Sequence, residues 1–200
     1  MFQKQPLYGG AITTVIPKGF LDASILREVP DTQEVFVNSR EEKETAVFKD
    51  GLGLDESIIV DLLQRVEEDD DRRALGVHLQ EISGLNGSHD WNLVEYEQSA
   101  PGTGQTPHIT CIAVEAAYKW GKSDMRETLA LCVALLRFDD VQTDVVLSVN
   151  VPVTSELELQ LLNAWLDKTS PTIPPRIAAA YHLVKQMASE FRILDKGLFV

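Results

Sequence analysis

The segment LALCVALLRF at residues 129–138 decides the predicted fold. Its apolar side chains occupy both faces of a strand, which is typical of a central strand that is covered on each side. Turn residues separate it from three further strand-like runs, at 91–98, 109–120 and 143–152. Because the turns between these runs are short, we expect neighbouring strands to pair antiparallel.

Helices must cover the two faces of this sheet. Apolar residues at spacings of three and four predict a helical pair, of which the first begins at the N-cap Asp55 and the second ends near Asn86, with the acidic run 67–71 between them. Ser155 has the capping-box spacing that opens a helix over 156–167. A last helix begins at Pro174-Pro175, where a first helical turn tolerates proline.

Shorter segments complete the predicted architecture. Alternating apolar residues predict strands over 7–16 and 34–38, a charged loop follows at 39–54, and residues 192–194 predict a last edge strand. Together these elements predict an α+β fold, an α/β/α sandwich in which an antiparallel sheet of about six strands is flanked by helices on both faces. No repeat or linker interrupts the chain, so we expect one domain over 1–200.

Composition narrows the classes of partner. The 200 residues carry 18 Lys and Arg against 31 Asp and Glu, a net charge of -13, which repels nucleic acid and anionic membrane surfaces. Such a surface either serves solubility alone or favours a partner that presents Lys and Arg. The chain has no run of about 18 apolar residues, so we expect neither a signal peptide nor a membrane span. Cys111 and Cys132 lie in apolar runs and predict buried free thiols.

The patterns that usually carry catalysis are weak here. Gly121-Lys122-Ser123 resembles the end of a phosphate-binding loop, but Ala116 stands where the first glycine is required, so a hairpin turn is the better interpretation. Gly51-x-Gly53 lacks a third glycine and predicts an ordinary loop. The four histidines are scattered and predict no metal site. Glu115 interrupts an apolar strand, and an edge-facing or salt-bridged carboxylate is favoured over a buried general acid.

The segment 22–38 is more informative. Pro30 favours an extended chain, Asp31 suits a turn in which its carboxylate folds back on backbone amides, and Glu34 follows at the entrance of a strand. Two carboxylates on a short, stiff connection are available to a basic partner. The plainer interpretation is a charged turn that keeps an edge strand from aggregating.

These residues also carry a family resemblance. LYGGAITTVIPKGFLDASILREVPDTQEVFVN, at 7–38, resembles the N-terminal signature of the Mog family of nuclear import proteins, which are also called Ran guanine-nucleotide release factors. DESIIVDLL at 55–63, WGK at 120–122 and TDVVLSVNVP at 143–152 resemble later blocks of the fungal members.

The resemblance implies a PsbP-like fold, binding to the small GTPase Ran and promotion of nucleotide release from it. It implies that Asp31 and Glu34 form the acidic pair that contacts Ran. Three lesser neighbours complete the expected contact surface: Arg27, Glu28 and Gln33. The implied function is non-enzymatic and needs no cofactor, and it leaves open whether Ran-binding cofactors join the complex.

Two other classes of function stay open at this point. An adaptor would bind Ran or another basic-faced partner without changing its nucleotide affinity. A ligand-binding or enzymatic module would use a pocket near Glu115 or between the sheet and the helices. For the Mog-like function we expect a nuclear protein with a cytoplasmic pool, because a chain of 22.3 kDa can diffuse through nuclear pores and partner binding would retain it.

Overall fold

A seven-stranded antiparallel sheet forms the centre of the computed structural model, which describes residues 2–88, 90–99, 106–118 and 126–199. In spatial order the strands are β3 (Phe20–Asp22), β4 (Gln33–Asn38), β5 (Ser57–Gln64), β9 (Thr143–Val153), β8 (Arg126–Phe138), β7 (His108–Tyr118) and β6 (Trp91–Gln98). All neighbouring strands run antiparallel. The four strands predicted between 91 and 152 are confirmed.

Both faces of the central strands are buried, as the segment 129–138 predicts. On one face Leu131, Val133 and Leu135 pack beneath α2 (Asp71–Leu85). On the other face the alternate residues of β8 pack with α3 (Glu156–Leu166) and α4 (Pro175–Ser189). The layered α/β/α arrangement is therefore confirmed, with seven strands in the main sheet.

The predicted strand over 7–16 is wrong in its continuity. Residues Phe2–Leu7 form β1 and Ile12–Pro17 form β2, separated by a 3-10 turn over Tyr8–Gly10. The three turn residues have φ values of 49°, 65° and 94°, and two of them are glycines, which adopt such backbone angles without strain. With the final strand β10 (Arg192–Ile193), β1 and β2 make a separate three-stranded sheet.

The predicted helix over 55–66 is also wrong, because this segment is the strand β5. Ile58 and Val60 point to the α4 side, whereas Ile59 and Leu63 point to the α2 side. A strand that is apolar on both faces contains residues at spacings of three and four as well as two, so periodicity alone does not separate it from a helix. The helical pair is thus reduced to α2.

The charged segment 39–54 contains a short helix, α1 (Glu42–Phe48), where the sequence predicts only a loop. It is anchored by Arg40, whose buried guanidinium pairs with Asp50 at 2.6 Å and donates to the carbonyl of Lys18. The helices predicted at 156–167 and after Pro174 are confirmed, and Ser155 Oγ accepts from the backbone N–H of Glu158 at 3.2 Å as the capping-box spacing predicts.

Several smaller predictions have a structural outcome. The two cysteines are free thiols and fully buried. Gly51 and Gly53 lie in a loop. Gly121-Lys122-Ser123 falls outside the described residues. None of the helices in the described part of the chain combines the length and apolar character that crossing a membrane requires.

Candidate partner-binding site

Asp31 lies in a tight turn that leads into β4. Ser24 N–H donates to the Asp22 carboxylate at 2.8 Å and starts the 3-10 turn Ala23–Ile25, from which the chain continues to Pro30. The backbone N–H of Gln33 then donates to the Pro30 carbonyl at 2.9 Å and closes the turn. This backbone hydrogen bond closes the turn, and the predicted bond from the Asp31 carboxylate back to backbone amides is not formed among the described residues. The Asp31 carboxylate is exposed and available to a partner.

Two further elements hold this turn. The carbonyl of Thr32 accepts from the backbone N–H of Leu62 at 2.9 Å and from the hydroxyl of Tyr8 at 3.0 Å. The same hydroxyl lies 2.8 Å from the carbonyl of Val60. Burial, together with the nearby carboxylates of Asp61 and Glu34, raises the pKa of Tyr8 above its usual range, so the phenol keeps its proton and remains a donor. These hydrogen bonds therefore hold the backbone of the turn that carries the Asp31 carboxylate.

Glu34 has a different environment from Asp31. Its carboxylate is half-buried and accepts the backbone N–H of Tyr8 at 2.5 Å. Burial raises the pKa of Glu34, and the hydrogen bond from Tyr8 only partly offsets this effect. The acidic pair is thus divided between an exposed carboxylate, Asp31, and a carboxylate that fixes the turn between β1 and β2.

The three lesser candidates are also separated by the fold. Arg27 and Glu28 are exposed in the loop before Asp31. Gln33 points to the α2 side of the sheet, where its Nε2 donates to Asp61 Oδ1 at 2.6 Å. Ile25 and Leu26, which the sequence analysis does not single out, are each 66% exposed beside this loop. The loop surface accordingly combines charged and apolar side chains.

Asp61 is the polar residue of this region that sequence reasoning misses. It is paired with Gln33 across β4 and β5 and is only 8% exposed. Burial raises the pKa of the Asp61 carboxyl, against the opposing influence of the Gln33 hydrogen bond and of His78. A lone Asp within the apolar run SIIVDLL is the available signal, but the predicted helix places it on a solvated face.

Comparison with known proteins identifies the family to which the chain belongs. The model of the family described as Ran-interacting Mog1 protein matches residues 5–152. The chain belongs to the Mog1 family. Among the Mog1 relatives, the nuclear import protein MOG1 of Saccharomyces cerevisiae is 46% identical over 193 residues, which are 96% of this chain and 83% of that protein.

More distant relatives of the Mog1 family carry a second name. The Ran guanine nucleotide release factor of Danio rerio is 27% identical over 98% of each chain, and that of Homo sapiens is 30% identical over 74% of each. The crystal structure of the Saccharomyces cerevisiae Ran-binding protein Mog1p superposes with a TM-score of 0.84 at 42% identity, covering 100% of this chain and 99% of that chain. The fold is therefore the Mog1 fold along its full length.

The other candidate centre of this Mog1-family chain is Glu115. The expectation of an edge-facing or salt-bridged carboxylate is wrong, because the residue is 2% exposed and its Oε1 accepts from Asn86 Nδ2 at 2.5 Å. An amide neither takes up nor gives a proton near neutral pH, so this pair does not constitute acid-base machinery.

The described histidines lie in separate parts of the fold. His78 is buried against Asp144 at 2.9 Å, His108 lies at the start of β7, His182 is exposed on α4, and His89 lies outside the described residues. Among the described residues, no three potential ligands gather to hold a metal ion.

Proposed function

We propose that this protein binds Ran, promotes the release of guanine nucleotide from it and thereby supports nuclear protein import. The names of its Mog1-family relatives, which include nuclear import protein and Ran guanine nucleotide release factor, support the proposal. The single observation that carries it is the Asp31 turn, in which a Mog-like signature holds an exposed carboxylate between backbone and Tyr8 anchors.

In the proposed complex Asp31 pairs with a Lys or Arg of Ran. Arg27 and Glu28 lie in the loop before it as secondary contacts, and Gln33 is a third one on the α2 side of the sheet. Glu34 supports the turn through Tyr8. A preformed turn lowers the conformational entropy that binding must overcome. The net charge of -13 speeds the approach of a basic surface.

Nucleotide release then follows from differential binding and requires no bond cleavage. A protein that binds the loosened state of Ran more tightly than the nucleotide-holding state shifts the population toward the loosened state. Every tenfold loss in nucleotide affinity requires about 1.4 kcal/mol of such coupling. The proposed activity is therefore non-enzymatic, and the proposed functional unit is a single domain over 1–200. Its proposed location is the nucleus with a cytoplasmic pool.

The test is nucleotide release from purified Ran that carries fluorescent GTP or GDP. We expect the protein to accelerate release from at least one loaded form, and the variant Asp31→Ala to lose most of the acceleration. Asp167→Asn is the matched control, because it removes an exposed carboxylate next to the end of α3 and should behave as the parent protein.

Two outcomes would contradict the proposal in different ways. Ran binding without faster release would replace it by an adaptor function. No binding to Ran in either nucleotide state would remove Ran as the partner altogether. A pull-down in the presence of other Ran-binding proteins would show whether a ternary complex forms.

A further inference from the structure

A cavity of about 190 Å³ lies on the α2 side of the sheet, next to the Asp31 turn. Four of its polar residues come from three strands, and the fifth, Asn86, lies at the end of α2. The strand residues are Gln33 on β4, Asp61 on β5 and Ser148 with Asn150 on β9. Ile82 and Leu85 of α2 form its apolar wall. Gln33 belongs both to this cavity and to the predicted contact surface, so the two are continuous.

The Asp61 carboxylate is the acidic group of the cavity, and no cationic side chain in the described part of the chain pairs with it. Asp61 is 8% exposed, and the hydrogen bond from Gln33 Nε2 is neutral. In the described part of the chain no Lys or Arg forms a salt bridge with Asp61, and the titratable neighbour that influences the pKa of its carboxyl is His78. A buried carboxylate without a cation is costly, and an incoming cation would offset that cost.

An unsatisfied hydrogen-bond acceptor lies at the other end of the cavity. Asn150 Nδ2 donates to Ser57 Oγ at 3.2 Å, and its buried Oδ1 has no hydrogen-bond partner among the described residues. Asn150 pairs with Ser57 of β5, and Ser57 lies four residues before Asp61 on that strand. Four residues of a strand span about 13 Å. The cavity is thus an elongated slot with hydrogen-bond acceptors at both ends and apolar side chains along one wall.

We propose that this slot receives one Lys or Arg side chain of the partner, whose cationic head pairs with Asp61 while its methylene stem packs on Ile82 and Leu85. The inference rests on the proposed function for the identity of the partner. A slot of about 190 Å³ is smaller than the 300–1,000 Å³ typical of small-molecule sites and suits a single side chain. A long basic side chain combines an apolar stem with a charged, multiply donating head.

The first experiment measures the dissociation constant of Ran with three proteins: the parent chain, Asp61→Asn and the control Asp167→Asn. The asparagine side chain keeps an oxygen that can accept from Gln33, so thermal unfolding should show an intact fold. We expect Asp61→Asn to weaken binding about 30-fold, as for loss of one partner of a desolvated charge pair, and Asp167→Asn to leave it unchanged.

A second variant tests the slot without touching its charge. Leu85 is 86% exposed at the cavity, so Leu85→Trp should fold normally and obstruct the entry of a side chain. We expect a loss of at least about tenfold in affinity. Normal affinity in both Asp61→Asn and Leu85→Trp would overturn the slot proposal, whereas absence of Ran binding by the parent chain would overturn the proposed function itself.

A double-mutant cycle identifies the inserted residue. Surface Lys and Arg residues of Ran are changed to Ala one at a time and titrated with the parent chain and with Asp61→Asn. One Ran variant should lose its effect when Asp61→Asn is present. If the effects of every Ran variant and of Asp61→Asn simply add, no basic side chain pairs with Asp61 and the slot proposal is wrong.

Discussion

Asp31 and Glu34 belong to one signature but have different structural environments. Asp31 is exposed, so Asp31→Ala should change the free energy of unfolding by less than about 0.5 kcal/mol. Glu34 accepts the backbone N–H of Tyr8, so Glu34→Ala should cost about 1–3 kcal/mol because that donor loses its partner. Both variants should weaken Ran binding at least about tenfold. Urea unfolding and titration with Ran provide the two measurements.

Glu34→Gln is the informative control for this pair. It retains a side-chain oxygen that can accept from Tyr8 and should recover most of the stability that Glu34→Ala loses. Recovery of Ran binding in Glu34→Gln would indicate that Glu34 acts by holding the turn. Loss of stability in Asp31→Ala would contradict the exposed position of that carboxylate.

A pH-dependent stability difference is expected at Asp61. The pKa of its carboxyl is raised from 3.8 by burial, so the ionised form destabilises the native state and stability falls as pH rises through the window between the unfolded and folded pKa values. Asp61→Asn should therefore raise the melting temperature at pH 7, and this gain should vanish below about pH 3.9, where the carboxyl is protonated in both states.

The control for Asp61 is again Asp167→Asn, whose exposed carboxylate should give no comparable gain at pH 7. A lower melting temperature for Asp61→Asn at pH 7 would show that the charge stabilises the fold. The expected result would instead show that the native chain retains a carboxylate at some cost in stability, as is common for residues kept for binding.

The sequence allows some of these residue-level properties to be predicted and conceals others. Pro30 and the polar run after it predict a turn, and a carboxylate in a turn is normally exposed, as Asp31 is. The contacts of Glu34 with Tyr8 and of Gln33 with Asp61 join residues 26 and 28 positions apart. Local patterns contain no information about such pairs. The different environments of Asp31 and Glu34 can therefore be seen only in the folded structure.

Among the elements, β8 and β5 have similar apolar patterns, yet the sequence correctly predicts a strand for β8 and wrongly predicts a helix for β5. The run 129–138 has strands on both sides in sequence, so its assignment is supported by the neighbours with which it pairs. SIIVDLLQ is preceded by a charged segment and followed by a helix, and it pairs with β4 and the distant β9. Its β-branched residues favour a strand, but its apolar spacing also fits a helix.

Asp144 joins several elements and should be critical for stability. It accepts from the backbone N–H of Val66 at 3.1 Å, from His78 Nε2 at 2.9 Å and from Arg137 Nε at 3.1 Å. Burial opposes ionisation of Asp144, but these hydrogen bonds outweigh it and lower the pKa. Asp144→Asn should cost about 3–5 kcal/mol, because the buried Arg137 guanidinium loses its buried counter-ion and keeps only the partly exposed Asp71 carboxylate at 3.3 Å.

Urea unfolding of Asp144→Asn at neutral and acidic pH checks this prediction. The contribution of Asp144 is present above its unfolded pKa and is lost as pH falls through the lowered folded value, so the difference from the parent chain should narrow in acid. Asp139→Asn is the control, since its carboxylate is 81% exposed beside Arg65 and should contribute less than about 1 kcal/mol. Equal effects of the two variants would contradict the importance of burial.

For the whole molecule, the charge excess makes a kinetic prediction. A chain of net charge -13 attracts a basic surface over a distance that salt shortens, to a Debye length of about 10 Å at 0.1 M. The association rate with Ran should therefore fall steeply with NaCl in stopped-flow experiments. The effect of Asp61→Asn should appear chiefly in the dissociation rate, since the proposed pair is desolvated. A salt-independent association rate would assign the charge to solubility alone.

The reactivity of the two central thiols reports how often the sheet opens. Cys111 and Cys132 are fully buried on adjacent strands. Burial raises the pKa of the Cys111 thiol to about 12, and it also raises the pKa of the Cys132 thiol above its usual range. An alkylating reagent needs an accessible thiolate, so it should react only when β7 and β8 separate from their covering helices. A ligand that binds the native state alone makes such opening rarer. Slower alkylation upon addition of Ran, followed by mass spectrometry, would therefore report binding without any label on either protein.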